Sequence, residues 1–424
     1  MTKTKKHIGA TPFYRTLPAY LIRWSILSLI AGLFTGSASA LFLSALEFVT
    51  QTRELHSWLI FYLPLAGLLI GLSYYYAGER VTKGTHLLFE EFHRPQKKLP
   101  WLMAPLVFAA TLLTHLTGGS AGREGTAVQM GATLTDQVAG FLKVARRNRR
   151  LLLIAGISGG FASVFGTPAA GTIFAIEVLV LRRLRADLLL PAMMTAFVAD
   201  AVCTAWGIRH TVYLIPQVPP MNFQNLGMAV LLGISAGVCS LLFVQTSGFF
   251  GTVFKKLKYP PLRPVIGGLI IALVVWLSGN TTYLGLGIPV IEQSFTQPAA
   301  AYDFALKILF TAFTLAAGFK GGEVTPLFFI GATLGSALSL LMPLPLALLA
   351  GMGFVSVFAA ASNTPLACTV MAVEMFGMDS AVFMAVACFS AWLFSGRKAI
   401  YHTQKLQPAK HFVYSKIRIK KKQS

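Results

Sequence analysis

The sequence predicts an all-α protein that crosses a lipid bilayer several times and is built from two related halves. Three observations predict it. Of the 424 residues, 55% are hydrophobic and only 12% are charged, against about 25% charged in a typical soluble domain. The charges are also confined: Trp24 to Leu46, Trp58 to Gly78, Leu151 to Ile176, Val212 to Phe254, Val265 to Ile291 and Val324 to Val373 contain none. Finally, three short blocks recur in one order about 200 residues apart.

A helix needs roughly 20 apolar residues to cross the hydrocarbon core. Each uncharged run therefore holds at least one crossing, and the longer ones hold two or more. The first apolar stretch is too long for a signal peptide and is followed by no clear cleavage site, so it reads as the first membrane helix. The net charge is +21. Its basic residues sit in blocks beside apolar runs: residues 2–6, Arg146 to Arg150, Arg182 to Arg185, Lys255 to Lys258 and Lys420 to Lys422. That is the positive-inside pattern of membrane loops and not a nucleic-acid footprint. Both termini are basic, which predicts cytoplasmic termini and an even number of crossings. Cys203, Cys239, Cys368 and Cys388 lie in apolar segments without close spacing and read as buried free thiols. The sequence holds neither an H-E-x-x-H motif nor a close His/Cys/Asp cluster, so no catalytic site, metal or cofactor is expected.

The repeat is specific. Gly122-Arg123-Glu124-Gly125-Thr126 resembles Gly321-Gly322-Glu323-Val324-Thr325, an interval of 199 (124 to 323). Each block is followed by Gly-Ala-Thr-Leu, an interval of 200 (131 to 331). Thr167-Pro168 matches Thr364-Pro365, an interval of 197, and these segments end at Glu177 and Glu374. Secondary transporters are commonly built this way. The blocks alone leave open whether the halves are parallel or inverted. The expected organisation is a basic cytoplasmic segment (1–20), a first membrane repeat (21–208), a linker (209–225), a second repeat (226–410) and a basic cytoplasmic tail (411–424). The connections leave no room for a soluble second domain.

Ionisable residues inside membrane segments are costly and usually functional. Glu124, Glu177, Glu323 and Glu374 qualify. Glu124 and Glu323 lie in glycine-rich breaks, 118–125 and 318–323. A helix restarting after such a break presents unpaired N–H groups and the positive end of its dipole, which suits an anion. Two such half-helices, one per repeat, would converge near the midplane. Ionised, Glu124 can itself occupy that positive site; protonated, it would leave and admit an anion, coupling the anion to a proton. The structural alternative is a salt bridge from Glu124 to Arg123 or Lys320. Glu177 and Glu374, symmetric behind Thr-Pro, suggest a structural role at helix ends. His86 and His115 could relay protons, but a lone histidine is more often simply hydrogen-bonded, and neither is assigned.

These residues resemble the CLC family of chloride channels and anion/proton antiporters. Gly122-Arg123-Glu124-Gly125 is similar to its G-R-E-G-P motif, with Thr126 at the proline. Gly322-Glu323-Val324-Thr325-Pro326 is similar to G-x-F-x-P, with Val324 at the phenylalanine. Ser395 to Tyr401 resembles the late segment whose tyrosine faces the anion, and that tyrosine maps to Tyr401. The resemblance covers about residues 20–410. It implies two inverted repeats of tilted and broken helices, a homodimer with one pore per subunit, and no regulatory domain after the membrane part.

Departures from the pattern bear on the substrate. The G-S-G-I-P motif appears only as Gly84-Thr85-His86-Leu87-Leu88, which puts Thr85 at the anion-coordinating serine. The glutamate that many chloride/proton antiporters use falls at Val178. G-R-E-G-T together with G-G-E-V-T-P resembles the fluoride-exporting branch, and Glu323 matches its second glutamate. The resemblance therefore implies a fluoride/proton antiporter, with fluoride and protons as cargo. Glu124 and Glu323 would serve gating and proton transfer. Thr85, Gly122, Arg123, Gly125, Gly322, Val324, Thr325 and Tyr401 would bind or shape the anion path. Fluoride needs N–H and O–H donors to replace its water; chloride would accept the same groups more weakly. A chloride or nitrate exchanger, or a passive channel of the family, is the main alternative. An intramembrane enzyme and a non-transporting scaffold are the others.

Overall fold

The computed structural model describes residues 13–179, 186–401 and 410. The expectations for residues 1–12 and 411–424 lie outside the described residues. Regular structure among the described residues is helical, apart from one isolated bridge. The first half contains α1 (Phe13–Leu55), a 3-10 turn (Ser57–Tyr62), α2 (Leu63–Ala77), α3 (Glu79–Thr82), α4 (Thr85–His93), α5 (Met103–Leu116), α6 (Glu124–Phe141), α7 (Arg146–Phe165), α8 (Pro168–Leu179) and α9 (Ala186–Ala205). The second contains α10 (Phe223–Lys255), α11 (Leu262–Ser278), α12 (Ile288–Ser294), α13 (Asp303–Ala317), α14 (Val324–Leu338), α15 (Leu346–Ser362), α16 (Pro365–Phe376) and α17 (Ala381–Phe394).

Four helical stretches among the described residues are long and apolar enough to span a membrane: Pro18–Leu55, Ser57–Ala77, Asp187–Ala205 and Phe223–Lys255. Several others are apolar but shorter, as expected of broken helices lining a path. α1 is apolar all round, burying Trp24, Leu27 and Ala31 while exposing Ile22, Ile26, Leu29 and Leu33. A helix with that pattern packs on protein with one side and on lipid with the other.

Small residues let the helices close up without a hydrophobic drive from water. Gly32 and Gly36 of α1 face α9, where an added Cβ would lie 2.6 Å from Val198 Cβ and 2.5 Å from the Ala199 carbonyl oxygen. Gly233 and Gly237 of α10 face α17 in the same manner, at 2.7 and 2.6 Å from the carbonyl oxygens of Ala387 and Ala391. The same G-x-x-x-G contact therefore occurs once per half.

The N-termini of the equivalent helices α6 and α14 meet head to head. Gly122 and Gly322 exchange two backbone hydrogen bonds, each 2.6 Å, in an antiparallel bridge. Equivalent helices that meet by their N-termini run in opposed directions, so the halves are inverted. A wall of stacked rings backs this meeting point, with Phe161 on Phe174 (4.3 Å) and Phe328 on Phe354 (4.0 Å).

The bridge also corrects the repeat register. Block matching set Glu124 against Glu323, but the structural interval is 200, Gly122 to Gly322. Arg123 holds the N-cap position of α6 and Glu323 that of α14, neither with a capping side-chain bond. Glu323 thus holds the place of Arg123, and Glu124 is matched by Val324. One residue on a helix is a turn of about 100°, so the two carboxylates leave their helices in different directions.

Candidate functional site

Glu124 lies at the first position of α6 with only 1% of its surface exposed. Its Oε2 accepts hydrogen bonds from the backbone N–H of Arg123 and of Thr325, both at 3.1 Å. Its Oε1 accepts from the Thr325 hydroxyl. The carboxylate is thus a tethered anion on donors from the starts of α6 and α14, where unpaired N–H groups and helix dipoles favour negative charge. The salt-bridge alternative is weakly realised. Arg123 Nε stands 3.8 Å from Glu124 Oε1 and has no hydrogen-bond partner. Lys320 instead places its ammonium 4.2 Å from the centre of the Tyr74 ring.

Only glycine allows the two helix starts to come this close. A Cβ on Gly322 would lie 2.7 Å from the Gly125 nitrogen and 3.1 Å from the Glu124 nitrogen. A Cβ on Gly122 would lie 2.8 Å from Glu124 Oε2.

Glu124 borders a cavity of about 320 Å³. Thr85, Gly125, Gly322, Glu323, Val324 and Tyr401 line it too. Gly122, Arg123 and Thr325 do not; Arg123 faces a second cavity of about 390 Å³ with Glu47, Arg209 and His210. Most of the nominated residues thus share the first cavity, and Arg123 alone of them lines the second.

Thr85 opens α4 behind Gly84, whose φ of 54° is in the left-handed region that favours glycine. Its hydroxyl accepts from Gln129 Nε2 at 3.1 Å. The far end of α4 is clamped: Arg149 reaches Asp136 at 2.5 and 3.0 Å and Glu91 at 3.2 Å, and Glu91 also takes Arg80 at 3.0 Å. Tyr401 is carried by a segment tied back by the Ile400 N–H to the Ala361 carbonyl, 2.9 Å, and its ring meets Phe89 of α4 at 5.2 Å. Lys410, the next described residue, donates to Asn363 Oδ1 at 2.7 Å and to Ser395 Oγ at 2.9 Å.

Glu177 and Glu374 hold helix ends. Glu177 accepts from the N–H groups of Leu366 and Ala367 (3.2 and 2.8 Å), and Glu374 from those of Ala169 and Ala170 (2.8 and 2.7 Å). His86 lines the same cavity as Glu124 and Thr85. His115 is buried between the carbonyls of Thr111 (2.8 Å) and Ala121 (3.0 Å). Val178 is buried. All four cysteines are buried and free. Among the cavity residues that escaped sequence reasoning are Gln129 and, as a lining cation, Lys320. A single polar residue in a helix carries no motif, although Lys320 inside a glycine break was a usable signal.

Comparison with known proteins agrees with this geometry. Residues 66–396 match the family described as "Voltage gated chloride channel". A protein of Pseudomonas syringae pv. tomato named "Chloride/fluoride channel protein" is 49% identical over 399 residues, covering 92% of this chain and 88% of the relative. The "H(+)/Cl(-) exchange transporter ClcA" of Vibrio cholerae is 26% identical, covering 82% of this chain and 81% of its own. Among solved structures, a CLC-type fluoride/proton antiporter superposes with a TM-score of 0.88 at 34% identity, covering 93% of this chain and all of the other. A slow cyanobacterial Cl⁻/H⁺ antiporter shares the fold with a TM-score of 0.76 at 22% identity. With its inverted halves meeting at Gly122 and Gly322, the chain belongs to the CLC family of voltage-gated chloride channels and related antiporters.

Proposed function

We infer that the chain is a fluoride/proton antiporter that exports fluoride from the cytoplasm. The observation that carries this reading is the seat of Glu124. Its carboxylate occupies N–H and O–H donors from both helix starts, between two cavities. A small anion needs those same donors. Protonation removes the charge that holds Glu124 there, and the emptied donors accept the anion, so one residue alternates the two cargoes. Similarity to the fluoride/proton antiporter structure and to the chloride/fluoride channel protein supports the substrate.

In this reading Glu124 is the gate and proton carrier, and Glu323 is a second proton-accepting carboxylate in the inner cavity. Thr85 and Tyr401 present hydroxyl groups to the anion there. Gly122, Gly125, Gly322 and Val324 let the backbone approach it, and Arg123 and Thr325 complete the seat. The cavity with Thr85 and Glu323 faces the cytoplasm, because Lys83 lines it and the basic block Lys255 to Lys258 lies at the end of α10, whose neighbour Tyr259 meets the Tyr75 ring of α2 edge-on. Cytoplasmic termini, a plasma-membrane location, the repeat and linker boundaries given above and a homodimer with one path per subunit belong to the same proposal.

The test is fluoride or chloride efflux from loaded proteoliposomes with pH recorded together. Fluoride efflux with matching proton uptake, lost in Glu124→Gln, is the expected result. Chloride flux equal to or above that of fluoride overturns the assignment and leaves a general CLC anion exchanger or channel.

A further inference from the structure

Gln129 borders the inner cavity together with Thr85, Glu124 and Glu323, and no step of the exchange uses it. It is a buried amide on α6, five residues beyond Glu124. At a rise of 1.5 Å per residue it lies roughly 7.5 Å further along the same helix. A polar side chain inside a membrane segment is costly unless it is bonded.

Its partner is Thr85. Gln129 Nε2 donates to Thr85 Oγ1 at 3.1 Å, across 44 positions of sequence. The amide lies against the start of α4, where a Cβ on Gly84 would stand 3.4 Å from Gln129 Oε1 and 3.6 Å from Nε2. The direction of the bond matters. A threonine hydroxyl has one proton to donate and two lone pairs with which to accept. Gln129 takes a lone pair, and no hydrogen bond described for Thr85 takes the proton. Both side chains line the cavity, so the unclaimed proton has that space to point into.

We propose that Gln129 is a positioning residue that keeps the Thr85 hydroxyl turned as a donor toward the transported anion. The inference rests on the anion-transport reading, with Thr85 meeting the anion, and adds to it the group that fixes the direction of that contact. Without the Gln129 N–H the hydroxyl is free to turn and give its proton to a backbone carbonyl. Its lone pairs would then face the anion and repel it. Fluoride is the stronger hydrogen-bond acceptor, so it gains more than chloride from a donor held in place. Gln129 therefore shifts the preference of the cavity toward the smaller ion.

The experiment uses the full chain in proteoliposomes, with half-saturating fluoride and chloride measured for each variant. Gln129→Met keeps the length of the side chain and removes its N–H. It is expected to raise half-saturating fluoride about tenfold and chloride only about threefold, the effect of weakening one hydrogen bond to a charged group. In a Thr85→Val background the same change should add nothing, because no hydroxyl is left to orient. Gln129→Glu serves if the methionine variant does not fold. An ionised carboxylate only accepts, so it would draw the Thr85 proton away from the cavity. Its added charge repels the anion in either background, so the expected signature is a larger loss with Thr85 present than with Val in its place. A fluoride-to-chloride ratio that stays at the wild-type value, or equal losses in the two backgrounds, overturns the positioning role. A wild-type chain that moves no fluoride overturns the antiporter reading itself, so the two failures are distinct.

Discussion

Glu177 and Glu374 cap each other's half of the molecule. Glu177, near the end of α8, accepts from the first N–H groups of α16, and Glu374, near the end of α16, accepts from the first N–H groups of α8. The same bond is made twice about the axis that relates the halves. A carboxylate at a helix N-terminus satisfies orphan donors and the dipole together.

Removing either carboxylate should therefore destabilise without uncoupling. Glu177→Ala or Glu374→Ala is expected to cost about 1–2 kcal/mol, read as a lower midpoint of thermal unfolding in detergent. The ratio of protons to anions moved should stay at the wild-type value. A changed ratio would assign these residues to the transport cycle.

The Thr325 hydroxyl should matter for gate closure more than for anion access. Thr325→Val removes one charge-assisted bond to Glu124, worth about 1.5–3 kcal/mol, and keeps the backbone N–H. The expected outcome is anion leak without matching proton movement, seen when flux and pH are recorded together. Unaltered coupling would mean that the backbone donors suffice to seat the carboxylate.

Lys320 should draw anions into the inner cavity. It lines that cavity with its ammonium on Tyr74, and its described side-chain contacts include no carboxylate. One charge at about 10 Å in an effective dielectric near 20 contributes roughly 1.7 kcal/mol, or more than tenfold in occupancy. Lys320→Met is expected to slow flux by about tenfold at low anion concentration and far less at saturation. A purely structural lysine would lower the saturated rate as well.

The Arg149 clamp should govern folding. Asp136 is fully buried and takes two bonds from Arg149 and one from the Leu99 N–H at 2.6 Å. Stripping one partner from a buried pair costs about 3–5 kcal/mol. Arg149→Met should give little monodisperse protein by size exclusion, and Arg149→Met with Asp136→Leu should recover part of it. No recovery would show that the Leu99 N–H and Glu91 need these partners independently.

Much of this was legible in the sequence because burial in lipid restricts what a chain can carry. Charge-free runs, glycine breaks and intramembrane glutamates each have few physical readings, and Glu124, Glu177 and Glu374 were found by them. The register error at Glu323 came from matching identical letters, when the match that folding uses is the pair of glycines that touch. The paired G-x-x-x-G contacts were present as spacing but say nothing until their partner helix is known. Gln129 and His210 gave no signal, since their meaning comes from cavities closed by residues distant along the chain.

The seat of Glu124 also sets a schedule for synthesis. Thr325, which supplies two of its three bonds, is made 201 residues later. At ribosomal rates of about 5–20 residues per second, α6 waits roughly 10–40 s with its carboxylate and leading N–H groups unmatched. Through that interval water, lipid headgroups or the insertion machinery must satisfy them. The first half is thus an unfinished client in the membrane until the second arrives, and slow codons after residue 208 would lengthen its exposure to quality-control proteases.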